Sequence, residues 1–166
     1  FVIGAGNFVQ DVDLPDTKHV AVLHSPYPRA RILRVNFEQA LALKGVLYVL
    51  TGKEISEATN PLYHGIVLPN VRWYPLANKM TRYVGEWVAA VAAEDRFIAE
   101  DALELIEVDY EPLIPIVDPE EALNKDASRV HPDHGSNIIY DGEFTWGPVD
   151  GDFAAADGSL SFRARW

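Results

Sequence analysis

Two histidines and an aspartate lie together in the stretch His131-Pro132-Asp133-His134. A spacing of three residues between histidines is typical of metal ligands on one face of a helix. Pro132 and Gly135 favour a loop instead, and zinc requires more ligands than these three residues supply. The pattern therefore predicts a solvated loop rather than a metal site.

A glycine pair near the start, Gly4-Ala5-Gly6, is similar to the opening of the dinucleotide-binding fingerprint. That fingerprint needs a third glycine, which lets the helix approach the strand and the pyrophosphate. Position 9, where it would fall, is Val9, and no strand of adequate length precedes Gly4. The pattern favours a glycine turn over a nucleotide site.

Glu86 is the strongest candidate for a catalytic acid or base, because it follows Gly85 and precedes an apolar run. Burial there would raise the pKa of its carboxyl toward the range of a general base. A carboxylate at the start of a strand more commonly accepts hydrogen bonds from neighbouring backbone. Ser25 has no paired base in the sequence and is expected to form a turn. The residues therefore predict no complete catalytic constellation.

The composition excludes several classes of function. The chain has 166 residues, 14 Lys and Arg against 25 Asp and Glu, a net charge of −11 and no cysteine. This balance argues against nucleic acid as a partner. The lack of cysteine excludes disulfides and iron–sulfur ligation by this chain, and agrees with an expected cytoplasmic location. The longest apolar run, Trp87–Ala93, is far shorter than the roughly 20 residues of a membrane span.

The chain contains two strand–helix–strand patterns, which predict an α+β fold of about one domain. In the first, strands over 31–35 and 46–50 flank a short helix that Asn36 and Gln39 would cap and Gly45 would end. The short connection predicts that these strands are parallel or near neighbours. Thr51 and Glu54 repeat the capping-box spacing, which predicts a further single helical turn.

The second pattern is better defined. Trp87–Ala93 has the length and composition of a buried strand. Glu94-Asp95 offers an N-cap and an acidic first turn for a helix after it. Ile98, Ala102, Leu105 and Ile106 then fall on one helical face. The period changes to two over residues 106–111, which predicts a half-exposed strand that Pro112 ends.

Long irregular stretches separate and follow these units. Residues 56–78 show no periodicity, and their aromatic residues favour packing against a partner. Residues 121–158 are predicted to be mostly loop. Residues 160–166 alternate between apolar and polar, which predicts a strand whose pairing groups would be open. We therefore expect the chain to be part of a larger assembly.

Several segments together resemble the N-terminal a/b hammerhead domain of the molybdenum hydroxylase large subunit, the family of aldehyde oxidase, xanthine dehydrogenase and carbon monoxide dehydrogenase. The segment with the strongest resemblance is Arg82-Tyr83-Val84-Gly85-Glu86-Trp87-Val88-Ala89. The others, in chain order, are residues 4–12, 25–32, 45–51, 99–102, 108–113, 137–138 and 150–157. The sequence departs from the family pattern at Trp87, where proline is usual, at Arg29, where histidine is common, and at Gly147-Pro148.

The resemblance implies a hammerhead domain over residues 1–120, a linker over 121–158, and the first strand of a molybdenum-binding domain over 159–166. Family members hydroxylate aldehydes, N-heterocycles or carbon monoxide at molybdopterin-bound molybdenum, with oxygen derived from water. Electrons then pass through two [2Fe–2S] clusters to FAD. The residues that bind these groups lie in later domains, so the resemblance assigns no catalytic, cofactor-binding or metal residue here.

The implied partners are the remaining molybdenum-binding part of the large subunit and the iron–sulfur and FAD subunits or domains. The residues expected at such interfaces are Trp73, Tyr74, Tyr83, Gly85, Glu86, Trp87, Phe162 and Trp166. An alternative hypothesis is a non-catalytic interaction module that recruits a partner through its aromatic loop, outside any redox enzyme. Nucleic acid and membrane are not expected partners.

Overall fold

The computed structural model describes residues 3–4, 6, 8, 12, 14–62, 70–162 and 164. Its strands form two small sheets, each of three antiparallel strands. The strands are β1 (His19–His24), β2 (Ala30–Asn36), β3 (Val46–Thr51), β4 (Met80–Thr81), β5 (Trp87–Ala93) and β6 (Glu107–Pro112). The helices are α1 (Glu38–Ala42), α2 (Gly52–Ala58), α3 (Arg96–Leu103), α4 (Pro119–Ala122) and α5 (Val149–Ala155), with a 3₁₀ turn at Pro132–His134. This mixed architecture confirms the predicted fold class.

The first sheet has the order β1-β5-β3, with β5 in the middle. Its sequence, Trp-Val-Ala-Ala-Val-Ala-Ala, is apolar on both faces, which suits a central strand whose two faces are both largely covered. Val88, Ala89, Val91 and Ala93 are buried. The boundaries of this strand match those predicted from the sequence.

Helix α3 packs on this sheet and closes the main core. Asp95 caps it, because its Oδ1 accepts hydrogen bonds from the backbone of Phe97 at 2.7 Å and of Ile98 at 3.4 Å. Ala99 and Ala102 are buried, and small side chains at these positions allow the helix to lie close to the strands. The core cluster comprises Ala40, Val49, Ala89, Val91, Ala102 and Ile106. The predicted cap is confirmed at Asp95, but the first turn of α3 contains no acidic residue.

The second sheet has the order β4-β2-β6. In β6, Val108 and Tyr110 are half-buried while Glu107, Asp109 and Glu111 are exposed, as the period-two pattern predicts. Arg31 on β2 forms a salt bridge of 2.8 Å with Glu111.

The expectation that β2 and β3 are parallel or near neighbours is wrong. They lie in different sheets, and every pairing among the described strands is antiparallel. Strands β5 and β6 of the second pattern also lie in different sheets. The connection from β2 to β3 is shorter than the dozen or more residues that a parallel crossover needs. Strand β5 has no free edge for β6, because β1 and β3 already pair with both of its sides.

The first predicted capping box is also wrong. Helix α1 begins after Phe37 without a side-chain cap, and Asn36 Oδ1 instead accepts from the Glu38 backbone at 3.4 Å. The second box, between Thr51 and Glu54, is confirmed. It begins a helix of seven residues, α2, rather than the single turn expected.

A segment at Ala77 and Lys79 joins the two sheets. The Ala77 amide donates to the Trp87 carbonyl of the first sheet at 2.7 Å, and the Lys79 carbonyl accepts from Ile32 of the second at 2.9 Å. A Cβ added to Gly52 would overlap the Ala77 carbonyl oxygen. Glycine at the start of α2 therefore allows this segment to pass close by, and we call Ala77 to Lys79 the seam.

The chain after β6 contains only short helices within its described part. Asp118 caps α4, and α5 was not anticipated from the sequence. Residues 160–162 and 164 are not in a strand, and residues 163, 165 and 166 of the predicted strand lie outside the described residues. No helix within the described ranges is long and apolar enough to cross a membrane.

Candidate protein interface

The turn before β5 depends on a left-handed glycine. Gly85 has φ of 87°, and nothing lies within 4 Å of an added Cβ, so backbone conformation and not space selects glycine there. The Gly85 amide donates to the Ser25 carbonyl at 2.8 Å, and the Ser25 amide donates to the Glu86 carbonyl at 2.8 Å. These two bonds connect the start of β5 to the end of β1.

Glu86 stabilises the same turn with its side chain. Its carboxylate accepts a hydrogen bond from the Arg82 backbone amide at 2.5 Å and forms an ion pair with Arg82 Nη1 at 3.3 Å. Burial raises the pKa of the Glu86 carboxyl, and its bonds to Arg82 oppose that rise. Of the two roles considered from the sequence, the geometry shows the carboxylate bound to neighbouring backbone.

Ser25 is a buried polar link between the two sheets. Its hydroxyl lies 3.2 Å from that of Thr81 on β4 and accepts from the Tyr27 amide at 3.2 Å. Thr81 is also buried. The hydroxyl therefore has the turn-forming role predicted for it.

Four of the predicted interface residues come together on this turn: Tyr83, Gly85, Glu86 and Trp87. Tyr83 is 60% exposed and Trp87 is 48% exposed, while Glu86 is largely covered. His24 packs edge-on against Trp87, with ring centroids 6.4 Å apart. Tyr83 and Trp87 leave aromatic surface in water, of the kind that is enriched in protein interfaces.

Trp73 and Tyr74 are half-buried, and Trp73 already has a contact within the chain. It packs edge-on against His131, with centroids 5.4 Å apart. His131 is buried, and burial, followed by the charges of Arg82 and His134, lowers the pKa of its imidazole to about 4. This pair anchors the segment after residue 70 to the turn at Pro132–His134.

The remaining predicted residues lie elsewhere. Phe162 is exposed on the C-terminal segment, and Trp166 lies outside the described residues. Among the described aromatics that were not predicted at an interface, Phe144 and Trp146 are the most exposed, at 93% and 94%. Large aromatic residues in a stretch without apolar periodicity were the available signal for them.

A cleft separates the segment after residue 70 from the turn at Pro132–His134, with a volume of about 510 Å³. Its charged lining residues are the cations Arg72, Lys79 and Arg82 and the carboxylates Glu86 and Asp133. The sequence has no Asp or Glu between Glu57 and Glu86. In a chain of net charge −11, this surface is locally cationic, which suits acidic groups of a partner.

The residues that the structure describes do not fit the metal groups that the resemblance implies. The chain has no cysteine to ligate an iron–sulfur cluster. Within the described part, no group of three or more His, Asp or Glu side chains is arranged to hold a metal ion. His134 Nε2 instead lies 3.0 Å from the Ile138 carbonyl oxygen.

Of the glycine pair considered as a nucleotide site, Gly4 lies in a turn with φ of 75°. Ala5 and Val9 are outside the described residues.

Comparisons with known proteins agree with the fold and the motifs. The family described as "Aldehyde oxidase and xanthine dehydrogenase, a/b hammerhead domain" matches residues 3–114. The carbon monoxide dehydrogenase large chain of Hydrogenophaga pseudoflava is 33% identical over 95% of this chain and 20% of that protein. A probable xanthine dehydrogenase subunit of Bacillus subtilis (strain 168) is 38% identical over 94% of this chain and 20% of that protein.

A solved structure shows the same architecture. Quinoline 2-oxidoreductase from Pseudomonas putida 86 superimposes with a TM-score of 0.80 at 33% identity, over 95% of this chain and 20% of that one. The chain thus spans about a fifth of the length of these relatives. With its two three-stranded sheets and a family match over residues 3–114, the chain belongs to the aldehyde oxidase and xanthine dehydrogenase family and carries its a/b hammerhead domain.

Proposed function

We propose that this chain is the structural N-terminal part of the molybdopterin-binding large subunit of a molybdenum hydroxylase. The observation that carries the proposal is the hammerhead match over residues 3–114, in relatives about five times as long. In this proposal residues 1–120 are the hammerhead domain, 121–158 a linker, and 159–166 the first strand of the next domain. The location would be cytoplasmic.

The bound molybdenum cofactor would supply hydroxylation of an aldehyde, an N-heterocycle or a related small substrate with oxygen derived from water. The described residues of this chain contain no metal-holding cluster, and the interactions of Glu86 are structural. Its own contribution would be to support the molybdenum-binding part. Iron–sulfur and FAD subunits or domains would complete the assembly.

The exposed turn at Tyr83 and Trp87 would be one contact surface in that assembly. Both residues are held by a turn whose backbone is bonded to Ser25 and whose carboxylate is bonded to Arg82. A rigid aromatic pair of this kind loses little conformational entropy when it is covered. Trp73 and Tyr74 would contribute at the edges of the surface, and Phe162, on the C-terminal segment, would be a separate contact.

Metal analysis and the absorption spectrum of the natively purified protein test the proposal. We expect the native assembly to contain molybdenum, iron and flavin, and the separated chain to contain no molybdenum and no hydroxylase activity. Stoichiometric molybdenum in the separated chain, or a native assembly without molybdenum and flavin, would contradict the proposal.

The second candidate function is an interaction module outside a redox enzyme, which the exposed aromatics Tyr83, Trp87, Phe144 and Trp146 would also serve. The composition of the native assembly distinguishes the interaction module from the enzyme part. A module would purify with partner chains that carry no flavin absorbance and no cysteine clusters, whereas an enzyme part would bring down both.

A further inference from the structure

Strand β2 is paired along its length on one side, with a register shift at Leu33, and only partly paired on the other. Strand β6 follows it from Ala30 to Asn36. On the opposite side β4 pairs only with Ala30 and Arg31, and the last bond there joins the Ile32 amide to the Lys79 carbonyl at 2.9 Å. Residues 33–36 of β2 therefore present an open edge, with no strand beside it in the described part of the chain.

A cavity of about 390 Å³ lies beside this open edge. One wall is β2 itself, and the other is the start of α2 together with the seam. Among its lining residues, Leu33 and Arg34 lie on β2, Lys53 and Glu54 on α2, and Lys79 in the seam. Four strand residues span roughly 13 Å at about 3.3 Å per residue, so the edge is long enough to pair with a short extended segment.

The side chains around the cavity give the open edge both apolar and cationic character. Leu33 is 64% exposed beside it. Arg34, Lys53 and Lys79 are exposed, and none of them forms a salt bridge with the described residues. The carboxylate in the lining, Glu54, already accepts hydrogen bonds from the Thr51 amide, at 3.1 Å, and from the Thr51 hydroxyl.

These charges favour one kind of occupant. The cavity lining has three cations and one carboxylate, and that carboxylate is already hydrogen-bonded. The lining therefore attracts acidic side chains, although the net charge of the chain is −11. Lysine and arginine on an open edge also discourage neutral or basic strands from pairing there. The edge is therefore complementary to an acidic segment with apolar residues at alternate positions, one of which would cover Leu33.

We propose that residues 33–36 of β2, with Arg34, Lys53 and Lys79, form a docking edge to which an extended acidic segment of a partner polypeptide adds a strand. Backbone hydrogen bonds to β2 supply affinity, and the cations select acidic side chains. The proposal stands independently of which enzyme the partner belongs to.

Backbone amide hydrogen exchange of the natively purified assembly tests the docking edge. Because the amides of a strand point alternately to its two sides, we expect the amides among residues 33–36 that point away from β6 to exchange at least about tenfold more slowly in the assembly than in the separated chain. Equal exchange in both samples, or a native protein that carries no partner chain, would overturn the proposal. An assembly that contains molybdenum and flavin but leaves these amides unprotected overturns the docking edge while leaving the proposed function intact.

Charge-reversal variants test the selectivity in the same assembly. Arg34→Glu combined with Lys79→Glu should raise the dissociation constant of the partner chain at least about tenfold, because both substitutions repel acidic side chains. Lys44→Glu combined with Lys125→Glu, at exposed positions outside the cavity lining, makes the same change in net charge and is the matched control, which should leave the dissociation constant unchanged. Equal affinities for the three proteins would overturn the selectivity for an acidic segment.

Discussion

His131 is an ionisable side chain whose surroundings disfavour its charged form. It is buried, it contacts Trp73, and Arg82 adds positive charge nearby, so the pKa of its imidazole is about 4 rather than 6.5. The unfolded chain binds the proton more tightly than the folded chain between these two values. The contribution of His131 to the free energy of unfolding is therefore lost as the pH falls from about 6.5 to 4.

The variant His131→Phe keeps an aromatic ring beside Trp73 and removes the titrating group. We expect the difference in unfolding free energy, wild type minus variant, to fall by about 1–3 kcal/mol as the pH is lowered across this window. Urea titrations at a series of pH values measure it. The subtraction cancels the contribution of Glu86, whose raised pKa acts in the opposite direction. A pH-independent difference would contradict the prediction.

The sequence indicates that Glu86 is important, but it leaves two roles open for the carboxylate, a catalytic acid or base and an acceptor of backbone hydrogen bonds. The deciding contacts come from Arg82, four residues earlier, whose backbone and side chain both reach the carboxylate. Those contacts require the turn at Gly85, which in turn is bonded to Ser25, far away in the sequence. Local spacing does not encode this arrangement, because it depends on how β1 and β5 pair.

At the scale of elements, α3 depends on its cap. Asp95 Oδ1 accepts from the amides of Phe97 and Ile98. We expect Asp95→Ala to lower the free energy of unfolding by about 1 kcal/mol, because these amides lose their acceptor. Chemical denaturation followed by circular dichroism measures the change.

The matched control is Asp101→Ala, which removes an exposed carboxylate from the same helix away from its first turn. Its effect should stay within about 0.5 kcal/mol. Equal losses in the two variants would show that charge, rather than capping, explains the effect of Asp95.

Element identity was more predictable than element pairing. The boundaries of β5, the cap of α3 and the alternation of β6 all follow from local patterns of burial and polarity. The assignment of β2 and β3 to different sheets does not, because pairing is set by which edges remain free once β5 has bonded both neighbours. The short α5 lacked an apolar stripe, and no local signal marked it.

At the scale of the whole molecule, the two sheets are joined through the seam. A methyl group on Gly52 would overlap the Ala77 carbonyl oxygen and lie 2.7 Å from the Asn78 Cα. Both are backbone atoms, which cannot relieve the overlap by a change of rotamer. We expect Gly52→Ala to lower the free energy of unfolding by about 2 kcal/mol or more, since the seam must shift away from α2. Thermal and urea unfolding measure this loss.

Gly158→Ala serves as the comparison, because nothing lies within 4 Å of its added Cβ. Its unfolding free energy should match that of the wild type within about 0.5 kcal/mol. If both glycine variants behave alike, close approach at the seam is not what fixes the relation of the two sheets.

The exposed rings of Phe144 and Trp146 have a practical consequence for handling the protein. Their side chains are 93% and 94% exposed to solvent. Apolar surface of this kind promotes self-association in a concentrated preparation. Co-expression with a binding partner, or a mild detergent during purification, is the sensible route to monodisperse material.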